Sequence, residues 1–159
     1  MRTPANLARH PIHPMLVAVP IGLWLFSLIC DLFFYFGGGA ESWWIVACYT
    51  IAGGIVGALI AAIPGFIDML SLPGGLKRIA LMHMSLNLTV VALYVVNFWL
   101  RSRGAQAEAI TLTPFWLSLV AVAMLAVSGW LGGKMVYVHG VAVENPPEPA
   151  PTTKHPLGT

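Results

Sequence analysis

Four long apolar runs constrain this chain more than any other feature of it. They lie near Met15–Phe36, Trp44–Phe66, Ile79–Leu100 and Pro114–Gly133. At 1.5 Å per residue, roughly 20 residues cover the ~30 Å hydrocarbon core of a bilayer, and a helix satisfies its own backbone there. The links between the runs are short: Gly37–Trp43, Ile67–Arg78 and Arg101–Thr113. Short links make consecutive helices antiparallel neighbours. The expected fold is therefore all-α, an integral membrane four-helix antiparallel bundle over residues 1–143 with a Pro-rich tail over residues 144–159.

Composition closes off the alternatives. Hydrophobic residues make up 58% and charged residues 9%, where a soluble domain carries about 25% charge. Mean hydropathy is +0.81. Such a chain cannot cover a water-facing surface, which excludes a soluble enzyme. A net charge of +2 on eight scattered Lys and Arg is too small for the phosphate contacts of nucleic-acid binding. The first run follows Arg2 and Arg9 but exceeds the apolar region of a signal peptide, and no small-residue cleavage site follows it. It reads as a retained helix. The tail from Glu144 has five prolines and few apolar residues, so burial cannot offset its ordering entropy, and it is expected to be disordered with His155.

Both termini then share one membrane side with Arg2, Arg9, Lys77, Arg78, Lys134 and Lys154, against Arg101 and Arg103 on the other. This bias predicts cytoplasmic termini. Tyr35, Trp43, Trp44, Trp99 and Trp116 are expected to ring the far interface. Cys30 and Cys48 lie inside apolar runs and read as small hydrophobes rather than a disulfide. No CxxCH motif marks covalent haem attachment.

The candidate site lies on the terminal side, where His10, His13, His83, His139 and Asp68 all fall. Pro11 and Pro14 push the residues before them towards extended geometry, so both leading histidines are expected on a stiff, non-helical segment. Residues three apart in such a segment stand about 9 Å apart, too far to chelate one ion without a turn. Either one histidine binds while the other orients a partner, or both cap the helix and meet headgroups. Pro14 suits the first helical turn.

In the third run, Asn87, Tyr94 and Asn97 stand at about 40°, 20° and −40° from His83 around a helix. Four polar side chains on one stripe should face the bundle interior, as interhelical glue or as a functional track. Gly53, Gly57, Ala61 and Gly65 follow at four-residue steps, with Asp68 on the same face. Gly129 and Gly133 repeat the spacing. Small residues so placed allow close helix packing or leave room for a flat cofactor. Pro64 is expected to loosen or end the second helix near Asp68. Asp31 should snorkel to the interface or pair with Arg101 or Arg103.

The segment His10-Pro11-Ile12-His13-Pro14-Met15 with Pro20-Ile21-Gly22 resembles a bacterial family of four-helix membrane proteins known as domain of unknown function twenty-two thirty-one. Three further stretches match its pattern: Ala61–Asp68, His83 with Asn87, and Gly129–Val141. The resemblance covers about residues 9–143. It implies the fold, the topology and a place in the bacterial inner membrane. Some members resemble this domain joined to Rieske-type or cytochrome modules, which implies electron transfer by association. The family pattern falls on His10, His13, Asp68, His83, Asn87 and His139.

The leading functional expectation is a haem b or metal site at the terminal mouth of the bundle. His83 and His139 would be the axial pair, with His10 or His13 as substitutes. Arg9, Lys77, Arg78 and Lys134 would neutralise propionates, and Asp68 or Asn87 would hold an imidazole N–H. The same histidines with Asp68 suit zinc, copper or iron. A redox partner protein or quinone, and a homo-oligomer, would accompany such a role. The alternatives are proton or small-solute transport through Asp68, His83, Asn87, Tyr94 and Asn97, or a structural and assembly subunit without cofactor. No inverted repeat supports transport. Ser71, Ser85 and Ser128 have no context that marks a nucleophile.

Overall fold

The computed structural model describes residues 3–104 and 111–143; the tail expected to be disordered lies outside them. A small hairpin, β1 (Asn6–Leu7) and β2 (His10–Pro11), leads into five helices: α1 (Ile12–Leu16), α2 (Ala18–Phe36), α3 (Glu41–Leu70), α4 (Gly74–Gly104) and α5 (Thr113–Tyr137). Together α1 and α2 make one apolar span, and α3, α4 and α5 supply the other three. The break at Val17 follows from Pro20, which lacks the N–H that would bond the Leu16 carbonyl.

α3 and α4 run to 30 and 31 residues, beyond the apolar runs at both ends. Only Ser71–Pro73 separates them. Helices this long carry their ends out of the hydrocarbon and into the headgroups. α2 packs chiefly on α3 and α4 on α5, while α3–α4 and α2–α5 contacts close the bundle.

Every span contributes to the central core of Trp24, Ile51, Val90, Tyr94 and Ala121. The Trp24 and Tyr94 rings stack 4.5 Å apart at 10°. Trp24 rests directly on Gly54, where a Cβ would overlap the indole. Outward residues such as Ile29, Leu59, Ile63, Val95 and Val127 are exposed and form the surface that lipid covers.

Two local expectations need correction. Pro64 does not end its helix, because α3 continues to Leu70. A proline costs one backbone hydrogen bond, and in membrane helices neighbouring groups compensate; here the His13 ring bonds the Ala61 carbonyl at 2.8 Å, beside the disturbed turn. Second, His13 is helical rather than extended. Pro14 is only the third residue of α1, where no N–H has a helical partner to lose. His10 is extended as expected, but in a strand, with Leu7 opposite it and Asn6 opposite Pro11. The two turn residues, Ala8 and Arg9, both have positive φ, 48° and 69°, as a tight two-residue hairpin requires.

At the other end of the chain, Gly140 turns back with φ +63°. The Val141 N–H then reaches the Met135 carbonyl at 2.9 Å. Val141 joins Met69, Leu72, Ala80 and Met135 in a second apolar cluster under the terminal face.

Candidate functional site: two polar clusters at opposite ends of the bundle

On the terminal side, His13 from α1 meets His83 from α4. Their ring centroids lie 6.3 Å apart and their planes cross at 89°. His13 Nδ1 bonds the Ala61 carbonyl of α3 at 2.8 Å, and His83 Nδ1 bonds the Ser128 carbonyl of α5 at 2.8 Å. A carbonyl only accepts, so each Nδ1 carries the proton and each Nε2 presents a lone pair. The Asn87 amide donates to His83 Nε2 at 3.1 Å and to the His83 carbonyl at 3.0 Å. The Ser128 hydroxyl stands 3.0 Å from His83 Nδ1.

Glycines make room for both rings. A Cβ at Gly65 would stand 2.7 Å from His13 Nδ1, and one at Gly132 would stand 3.2 Å from His83 Cε1. The four-residue stripe on α3 thus serves close packing: Gly53 faces Leu23, Gly57 faces Pro20, and Gly65 faces an imidazole. Gly129 has nothing within 4 Å of its Cβ position.

A second cluster lies at the opposite end. Arg101 Nη2 donates to both carboxylate oxygens of Asp31 at 2.7 Å, and neither side chain is exposed. Arg101 Nε donates to Asn97 Oδ1 at 2.7 Å. The Asn97 amide donates to the Ser118 hydroxyl and the Pro114 carbonyl, each at 2.9 Å. Ser118 in turn donates to Asp31 at 3.0 Å. The guanidinium lies 4.8 Å from the centre of the Trp44 ring. One network therefore joins α2, α3, α4 and α5. Arg101 Nη1 finds no partner among the described residues, nor does the Tyr94 hydroxyl.

Between the clusters sits a closely packed, mainly apolar layer, Trp24, Ile51, Val90, Tyr94 and Ala121, each at most 2% exposed. The polar stripe of α4 crosses this layer only at Tyr94, with the apolar Val90 on the same face.

A family model described as a predicted membrane protein, DUF2231, matches residues 9–145. The chain belongs to the DUF2231 family. No curated protein and no solved structure matches it. The DUF2231 match spans both polar clusters.

In this DUF2231 bundle the predicted site residues part company. His13, His83 and Asn87 come together. His10 stands exposed in β2 and its ring bonds the nearby Ala8 carbonyl at 2.9 Å. His139 is exposed beyond α5, with its backbone N–H on the Lys134 carbonyl. Asp68 is buried and accepts the Ala5 N–H at 2.8 Å, so it anchors the amino-terminal hairpin. Arg9, Arg78 and Lys134 are exposed on the same face. Among the described residues no three His, Cys, Asp or Glu side chains gather around one point.

Sequence reasoning counted Arg101 among the far-side cations and as one of two possible partners for Asp31, and gave Ser118 and Ser128 no role. One signal was available: Arg101 follows His83 by five full helical turns, about 1800°, and so shares its face of α4. Asp31 takes the pairing with Arg101 and does not snorkel. Trp44 leaves the expected interfacial ring to lie against that guanidinium, while Trp99 and Trp116 stay exposed. Cys30 and Cys48 are free thiols.

Proposed function

We propose that this DUF2231 protein is a membrane electron-transfer protein in which His13 and His83 ligate haem b iron or a copper ion. The observation that carries the reading is the paired tautomer. Metal-binding histidines characteristically donate one ring N–H to a backbone carbonyl, which orients the ring and raises the basicity of the other nitrogen. Both rings here do so, onto two different helices. Their ring centroids stand 6.3 Å apart, so His13 and His83 are the two residues that would hold such a centre.

The donor set favours haem or copper over zinc. Zinc takes four protein ligands in structural sites and three in catalytic ones, whereas a haem or copper centre would need only one or two histidines from the protein, and His13 and His83 would supply them. When bound, such a centre supplies one-electron chemistry. The protein's part is to fix the imidazoles through Ala61 and Ser128 and to exclude water with the Trp24–Tyr94 layer. Asn87 must release His83 Nε2 for a metal to bind there, and its amide keeps the His83 carbonyl as partner. Arg78 and Lys134 supply positive charge on that face for propionates. The cation count supports cytoplasmic termini in a bacterial inner membrane, and a quinone or redox protein would exchange electrons with the site.

Transport along α4 is the weaker reading, since a proton or solute would have to cross the closely packed Trp24–Tyr94 layer. A structural subunit is the outcome left if no cofactor is found. The test is a visible spectrum, oxidised and dithionite-reduced, with metal analysis, on full-length protein purified gently from cells supplied with haem and metals. A Soret band with reduced α and β bands, or stoichiometric copper, lost in both His13→Ala and His83→Ala, is the expected result. Protein that carries neither overturns the reading.

A further inference from the structure

The two imidazoles of the terminal cluster are alike at Nδ1 and unlike at Nε2. Both rings are half-buried, and both give the Nδ1 proton to a backbone carbonyl. His83 Nε2 is held by the Asn87 amide at 3.1 Å. For the His13 ring, the hydrogen bond among the described residues is the one at Nδ1.

The orientation of Asn87 is fixed twice over. An amide nitrogen carries two N–H donors, and both are spent on His83, one on Nε2 and one on its carbonyl at 3.0 Å. Neither acceptor could meet the amide oxygen, since a carbonyl has no proton and Nε2 has none once Nδ1 holds it. The lone pair that a metal would need is therefore occupied. Asn87 and His83 are one turn apart on α4, so the contact closes again whenever Nε2 is free. It also spares a partly buried acceptor from standing unpaired.

We propose that Asn87 is a latch on His83 Nε2, so that His13 engages an incoming metal ion first and His83 follows when the amide turns aside. The inference rests on the ligand roles proposed above. Asn87 is a positioning residue here and touches no metal. Opening the latch gives up one neutral hydrogen bond, which lowers affinity about fivefold.

The first test needs no metal. Diethyl pyrocarbonate acylates a neutral imidazole through its free lone pair, and peptide mass spectrometry reads His13 and His83 separately in full-length protein in detergent. Asn87→Leu keeps the bulk and removes the donor. It should speed modification of His83 about fivefold and leave His13 unchanged, as should Asn87→Ala. An unchanged His83 rate in both variants overturns the latch, and so does equal acceleration of both rings, the mark of a loosened fold. The second test is titration with copper(I) alone in a His10→Ala, His139→Ala, His155→Ala background. Asn87→Leu should bind about fivefold more tightly, and affinity that is equal or lower overturns the latch. Copper bound by neither protein overturns the ligand roles, while the modification rates still decide the contact.

Discussion

Arg101 Nη2 lies 2.7 Å from both carboxylate oxygens of Asp31, across 70 residues of chain, with both side chains fully buried. The pair ties α4 to α2 close to the end of each helix, and Asn97 and Ser118 extend it to α5. Removing one partner leaves the other charge unpaired inside the bundle. Asp31→Asn or Arg101→Met should each cost about 3–5 kcal/mol, whereas the double change to Asp31→Leu with Arg101→Met should recover much of that loss. Thermal or denaturant unfolding in detergent measures all three; single variants no worse than the double would refute the assignment.

Glycines in the bundle divide by what their missing Cβ would meet. Gly54→Ala collides with the Trp24 indole and Gly65→Ala with the His13 ring. Both should destabilise by about 1–3 kcal/mol through overpacking. Gly22→Ala and Gly129→Ala enter open space and should be neutral or stabilising by up to about 1 kcal/mol. Unfolding midpoints of the four variants should separate into those two groups.

The hairpin turn stores strain at Ala8, whose φ of 48° suits glycine. Ala8→Gly should stabilise the protein by about 1 kcal/mol. A lower unfolding midpoint in that variant would contradict the turn geometry.

Asp68 holds the Ala5 N–H, so Asp68→Ala should free the amino-terminal hairpin without unfolding the spans. Hydrogen exchange at Asn6, Leu7 and His10 should accelerate in that variant while exchange in α4 stays slow. Equal exchange in both proteins would place the anchor elsewhere.

If His13 and His83 are the ligands, His10→Ala and His139→Ala should retain whatever chromophore or metal the wild-type protein carries. Loss of the signal in His139→Ala would restore the sequence-based pairing of His83 with His139.

Chain pattern alone settled the four spans, their antiparallel order and the interior stripe of α4, because hydrocarbon thickness sets helix length and the 3.6-residue turn sets which side chains share a face. His83 and Asn87 were legible for that reason. The sequence does not state how far each helix rotates about its axis or where a side chain meets a neighbouring helix. Those were decided by packing: the break at Val17 and the space at Gly65 bring His13, not His139, onto His83. At the far end, burial joins Arg101 to Asp31. A cation at a helix end looks the same in sequence whether it reaches water or turns inward, and only the neighbouring helices supply the carboxylate, amide and hydroxyl that make the inward position tolerable.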